Sequence, residues 1–174
     1  MPTELTKTAR IFVIDDEPMN VDLFENILRD FGYSNLSMIT DSRRAISMLS
    51  NDDPDLVLLD LHMPHQDGYE VLKALRYVVP AETFMPILVL TADATVEARR
   101  HALAAGATDF LSKPFDTVEM GLRIETMLHL RFLYRELRQE KALLEQRVRD
   151  RTRSLQRVIA ELRCTSLPLF SLNF

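Results

Sequence analysis

One cysteine, Cys164, stands in 174 residues, so no internal disulfide can form and no thiolate metal cluster can be built, consistent with a reducing compartment. Four glycines leave no phosphate-cradling glycine loop, which removes a P-loop or dinucleotide-binding reading. Tryptophan is absent. No stretch approaches the roughly 18 consecutive apolar residues of a membrane span, and the start, Met1-Pro2-Thr3-Glu4, does not open a signal peptide, so a cytoplasmic protein without a membrane partner is expected. His62, His65, His101 and His129 lack metal-ligand spacing.

What is present is ordinary for a chain with a real core: 47% hydrophobic and 27% charged residues. The length suits one domain with an appendage. The net charge of -5 hides an asymmetry: residues 1–120 hold 10 Lys+Arg against 20 Asp+Glu, whereas residues 121–174 hold 11 against 6. Two physically different parts therefore meet near residue 120.

Leu56 to Leu59 is an apolar run too short for a helix, closed by Met63-Pro64 and the turn signal Asp67-Gly68. It reads as a strand buried on both faces, with Asp60 at its C-terminal mouth. A carboxylate inside such a strand is costly, but at its end it lies where open α/β sheets bind ligands, which makes Asp60 the candidate reactive centre. Arg10 to Asp16 is a second run of this kind, again ending in acids. Pro18 to Gly32, with Val21, Phe24, Ile27, Leu28 and Phe31 at helical spacing, reads as a helix. A strand over 36–39, a helix capped by Asp41-Ser42 and ended before Pro54, a helix from Gly68, a strand over 86–91, a helix over 96–105 and a strand over 109–113 complete the alternation, with Pro80 and Pro86 bracketing a loop. Such alternation implies a parallel sheet with helices on both faces.

Strand ends of one parallel sheet share an edge. Asp15 and Asp16, Asp60, Thr91 and Lys113 can therefore converge although far apart in sequence. Carboxylates so gathered repel by about 4 kcal/mol per pair at 4 Å and an effective dielectric of 20. The oxygen-only donor set suits Mg²⁺ or Mn²⁺, and Lys113 adds a fixed positive charge.

A last helix is expected from Asp116-Thr117. Along it Met127, Leu130, Tyr134, Leu137, Lys141, Leu144, Val148, Arg151, Leu155, Val158 and Leu162 alternate three and four residues apart. So narrow a seam, with Lys141 and Arg151 as polar interruptions, is a coiled-coil signature and calls for a partner helix, here a second copy. The charges leave the orientation of the pair open. Arg147, Arg149, Arg151, Arg153 and Arg157 spread around the helix rather than along one face, so direct nucleic-acid binding is not expected, and no helix-turn-helix pattern accompanies them. The boundaries read as a polar lead over 1–8, a globular domain over 9–122, a coiled-coil helix over 123–163 and a tail or truncated stump over 164–174.

The combination Asp15-Asp16, Asp60-Leu61-His62-Met63-Pro64 with Asp67-Gly68, Thr91-Ala92 and Lys113-Pro114-Phe115 resembles the receiver domains of bacterial two-component response regulators. The resemblance implies a flavodoxin-like doubly wound five-stranded parallel sheet of order 2-1-3-4-5, here followed by the extended coiled-coil helix. It implies that Asp60 is the phosphoacceptor of a phosphorelay, charged by a sensor histidine kinase or a phosphotransfer protein. Asp15, Asp16, Asp60 and the backbone carbonyl of His62 would bind Mg²⁺, and Lys113 and Thr91 would contact the phosphoryl group. Phe110 would be the aromatic that turns inward with Thr91 when the domain switches; lacking the hydroxyl many members carry, it would be held by packing alone. His62 and Asp93 would flank the site, and the Lys113-Pro114 bond would be cis. By this reading the chain is itself no enzyme. The alternative is the regulatory front of a larger enzyme, such as a cyclic-di-GMP phosphodiesterase or diguanylate cyclase, whose catalytic domain would be a C-terminal effector absent from this sequence.

Overall fold

The computed structural model describes residues 4–63, 67–78 and 83–165. Pro64, His65, Pro80 and the segment 166–174, to which roles as turn, loop and tail were assigned above, lie outside the described residues. Two units are distinguished, the first ending at Tyr134 and the second beginning at Arg135.

The elements of the first unit alternate as its periodicities require: β1 (Ile11–Ile14), α2 (Pro18–Asp30), β2 (Leu36–Ile39), α3 (Ser42–Asn51), β3 (Leu56–Asp60), α4 (Gly68–Val78), β4 (Ile87–Thr91), α5 (Val96–Ala105) and β5 (Asp109–Ser112). Before them stands α1 (Glu4–Lys7), a short helix where a polar lead was expected. The buried side chain of Thr6 and the carbonyl that accepts the Ala9 N–H at 3.1 Å fix it to the domain. The final helix, α6 (Thr117–Thr165), runs through Thr165.

All strand pairs are parallel and the order is β2-β1-β3-β4-β5. Alternation along the strands divides the core in two. Phe12, Ile14, Val57, Leu59 and Val89 face α3, α4 and α5, whereas Ile11, Val13, Leu56, Leu58 and Leu88 face α2 and α6. The three central strands are buried throughout, which is why they read as unbroken apolar runs.

Helix ends follow local chemistry. The Asp41 side chain accepts the Arg43 N–H at 3.1 Å, and that of Thr95 the Ala98 N–H at 3.2 Å. Gly106 ends α5 at φ 122, a conformation that a side chain would strain. The Asp116 carboxylate caps α6, taking the Val118 N–H at 2.6 Å and the Glu119 N–H at 3.2 Å. Met120, Ile124, Met127 and Leu128 on α6 are buried in the domain core. Met127, the first residue of the seam, is thus a core residue of the first unit: its position serves helix packing there, and periodicity alone cannot tell the two uses apart.

Arg131 is 2% exposed and closes the end of the sheet opposite the strand C-termini. Its guanidinium donates to the Phe84 carbonyl at 2.7 Å and to Asp53 at 2.6 Å, and its Nε lies 3.5 Å from Asp55.

Candidate functional site

With the order β2-β1-β3, the chain leaves β1 in opposite directions to reach its two neighbours, and a crevice opens between the C-terminal ends of β1 and β3. Asp15 follows β1 directly, and Asp60 is the last residue of β3. Both are buried; Asp16 is half-buried. One carboxylate oxygen from each lies within 4.8 Å of the others. Three hard oxygen donors gathered by rigid strand ends form the set that a small divalent cation such as Mg²⁺ prefers, so these residues fit the ion the sequence calls for.

Lys113, just past the end of β5, reaches across the crevice. Its Nζ lies 3.1 Å from Asp15 Oδ2 and 3.2 Å from Asp60 Oδ1, and 5.8 Å from the centre of the Phe24 ring. The ammonium thus holds two buried acids together. Its backbone is fixed by the Lys113 N–H donating to the Thr91 carbonyl at 2.7 Å, and the following Lys113-Pro114 bond is cis. Burial pushes the Asp60 carboxyl above its ordinary pKa; the Lys113 charge pulls it down, and the Asp15 charge raises it further. Asp15 takes the Glu17 N–H at 3.0 Å and both its oxygens accept from the Asn20 amide, at 3.0 and 3.1 Å.

The opposite wall is Thr91, the last residue of β4, wholly buried. Its hydroxyl accepts the Asp93 N–H at 3.2 Å and is hydrogen-bonded to His62 Nδ1 at 3.0 Å. The start of α4 is pressed against the end of β3: the Gly68 N–H donates to the Leu61 carbonyl at 3.1 Å, and a Cβ on Gly68 would stand 2.4 Å from the Asp60 carbonyl oxygen. Only glycine permits that approach. Hydrogen bonding from Thr95 holds the Asp93 carboxyl below its usual range. Phe110 on β5 is buried in the core that β4 shares with α5.

Asp15, Asp16, Asp60, Thr91 and Lys113 are therefore brought together, with His62 joining through its ring and Phe110 lying beneath rather than in the crevice. Asn20 escaped sequence reasoning, although an amide in the first turn of a helix that follows two acids was a usable signal. His101 stacks on Tyr69 at a ring distance of 4.2 Å, and His129 bonds the Glu125 carbonyl one turn back. Among the described residues no helix is long and apolar enough to cross a membrane.

The family model for the response regulator receiver domain matches residues 11–125. The chain is 36% identical over 135 residues to the response regulator PleD of Caulobacter vibrioides, covering 78% of this chain and 29% of that protein. It is 40% identical over 120 residues to the response regulator MprA of Mycolicibacterium vanbaalenii, covering 69% of this chain and 50% of that one. The chain thus spans half or less of the length of these relatives. Among solved structures, the receiver domain of the sensor histidine kinase PA1611 from Pseudomonas aeruginosa, which has a magnesium ion coordinated in its active-site cleft, superposes with a TM-score of 0.63 at 29% identity, covering 70% of this chain and 98% of that one. A carboxylate crevice at the β1/β3 switch point, a lysine bridging it and a matching model over most of the globular unit agree: this chain belongs to the response regulator receiver domain family.

Proposed function

We propose that the chain is the phosphoacceptor of a two-component phosphorelay and that Asp60 takes the phosphoryl group. The donor is a phosphohistidine on a sensor histidine kinase or a phosphotransfer protein. The observation that carries this reading is the Lys113 ammonium shared by Asp15 and Asp60 at the mouth of the crevice.

The step balances simply. An Asp60 carboxylate oxygen forms the new O–P bond as the P–N bond of the donor breaks, and the electron pair leaves with the imidazole. The transition state is loose, with its charge on the equatorial oxygens, so catalysis consists of in-line placement and neutralisation. Asp15, Asp16 and Asp60, with the His62 carbonyl, would hold Mg²⁺ (or Mn²⁺), which when bound neutralises phosphoryl charge. Burial leaves Asp60 poorly solvated, so its oxygen has less water to shed on meeting phosphorus. Lys113 supplies a cation already aimed at the acceptor oxygen. Thr91 then turns its hydroxyl from His62 to a phosphoryl oxygen, and this exchange, transmitted through β4 to Phe110, is the switch.

Output runs through the exposed seam of α6 into a homodimeric coiled coil, and a donor charged from ATP implies a cytoplasmic protein. The second reading keeps the same receiver and makes it the regulatory part of a larger enzyme, a cyclic-di-GMP phosphodiesterase or diguanylate cyclase among the candidates. The length of α6, which continues to Thr165 past the last residue of the family match, favours its use as a connector. Incubating the protein with a small phosphodonor and Mg²⁺ and weighing it intact tests the receiver chemistry: one phosphoryl adduct supports the proposal, and an adduct of unchanged yield on Asp60→Asn refutes the acceptor.

A further inference from the structure

Beyond Tyr134, α6 carries Leu137, Leu144, Val148, Leu155, Val158 and Leu162 on one stripe, each half or more exposed. Lys141 and Arg151 fill the two remaining positions of the three-four spacing. A groove along this stripe is lined by Leu137, Glu140, Lys141, Leu144, Glu145 and Val148. An apolar groove with an acid and a base side by side is complementary to itself.

Resting on the dimer reading above, we infer that the occupant of this groove is the same segment of a second copy, parallel and in register, with Lys141 as the layer that sets the register. In that arrangement every apolar residue of the stripe meets its own counterpart. Lys141 meets the partner's Lys141, and each ammonium reaches the partner's Glu140, which precedes it on the flank of the seam. Glu145 adds a second carboxylate to the same layer, so the like charges of Glu140 and the partner's Glu145 are bridged by lysine. Arg151 is long enough to carry its guanidinium out to water. Of the flanking positions, Arg138, Glu140, Glu145, Arg147, Thr152, Ser154 and Glu161 are polar and Ile159 alone is apolar, which favours a seam of two strands.

Antiparallel pairings match less well: even the register that sets Lys141 opposite Arg151 leaves Val158 and Leu162 with no seam residue opposite within the segment. Setting Leu137 opposite Leu162 places Lys141 against Val158 and Val148 against Arg151, and brings Glu140 towards Glu161. Setting Lys141 opposite Leu144 gains the pairs Glu140 with Arg147 and Arg138 with Glu145. It leaves Leu155, Val158 and Leu162 with no seam residue opposite within the segment, and exposed ion pairs are worth less than buried leucines and valines.

The test is cysteine crosslinking of the full chain with Cys164→Ser, in Mg²⁺ and beryllofluoride, alongside sedimentation. Leu144→Cys alone and Leu155→Cys alone should each give a covalent dimer on oxidation. Sedimentation as a monomer at every concentration overturns the dimer reading itself. A dimer that crosslinks only in the mixture of the two variants, or not at all through Leu144→Cys, overturns the parallel register and leaves the dimer standing. Lys141→Leu should tighten the dimer about tenfold and admit out-of-register crosslinks; an unchanged dissociation constant with crosslinks still confined to one register removes Lys141 as the register layer.

Discussion

The hydroxyl of Thr91 lies 3.0 Å from Nδ1 of His62 and also takes the Asp93 N–H at 3.2 Å. A hydroxyl has one proton and two lone pairs; in the tautomer whose Nδ1 is unprotonated the Thr91 proton goes to the imidazole, which then competes with the phosphoryl oxygen that needs it. A neutral hydrogen bond is worth about 1 kcal/mol net. Replacing His62 with Ala should therefore favour the switched state about fivefold at partial phosphorylation, read as the fraction of dimer by sedimentation. Thr91→Ala should still accept phosphoryl on Asp60 but no longer change its association. Equal coupling in Thr91→Ala and the native protein would sink the switch assignment.

Asp60 gives a pH dependence of definite sign. Its folded pKa is raised from 3.8, chiefly by burial. A raised acid contributes stability that is full below the unfolded pKa and lost as pH climbs through the folded one, so at neutral pH the ionised carboxylate is a net cost. Asp60→Asn should melt higher than the native protein at neutral pH, with the difference shrinking as pH falls towards 3.8. A difference that grows on acidification would contradict the assignment.

Divalent cation should stabilise the fold through the same acids. At about ten times its dissociation constant, a ligand bound only by the native state adds about 1.4 kcal/mol, or roughly 3–6 °C for a domain of this size. Mg²⁺ should raise the melting temperature by that amount, a chelator should reverse it, and Asp15→Asn or Asp16→Asn should abolish it. A shift that survives both substitutions would move the ion elsewhere.

Gly68 is predicted to tolerate nothing larger. A Cβ there would meet the Asp60 carbonyl oxygen at 2.4 Å and the Leu61 Cα at 2.7 Å, both backbone atoms that cannot step aside without moving the acceptor strand. Gly68→Ala should cost about 1–3 kcal/mol and slow phosphoryl uptake at the same Mg²⁺ concentration, measured by denaturant titration and intact mass. Native stability in that variant would show that the loop bends freely.

Arg131 and Asp55 should behave unequally. Removing Asp55 leaves the guanidinium, buried at 2% exposure, with Asp53 and the Phe84 carbonyl as partners and strips the Arg10 N–H of its acceptor, so the loss should stay below the about 3–5 kcal/mol of a buried pair broken from one side. Arg131→Met instead keeps most of the packing volume and should cost less than half as much. Asp55 retains the Arg10 N–H at 3.0 Å in that variant. Thermal melts of the two variants decide it, and an Arg131→Met protein less stable than Asp55→Ala would reverse the argument.

These residues also show what can be read before folding. The central strands announce themselves because burial on both faces leaves Ile11–Ile14, Leu56–Leu59 and Ile87–Leu90 without a polar residue, and parallel strands put Asp15, Asp60, Thr91 and Lys113 at one edge. Contacts made by polar groups across long separations leave no such trace. Arg131 looks like one more base on a basic helix, and its partner Asp53 lies 78 positions earlier. Asn20 and the His62–Thr91 bond were hidden for the same reason: a side chain's partner depends on where the backbone carries it, whereas hydrophobic period depends only on which way it faces.

Mapping the phosphoryl group is the most direct measurement. The protein, treated with a small phosphodonor and Mg²⁺, trapped by rapid acid quench, digested and sequenced by mass spectrometry, should carry one phosphoryl group on Asp60. None should form without divalent cation or in Asp60→Asn. A modified residue outside the crevice, or equal incorporation after chelation, would contradict the account.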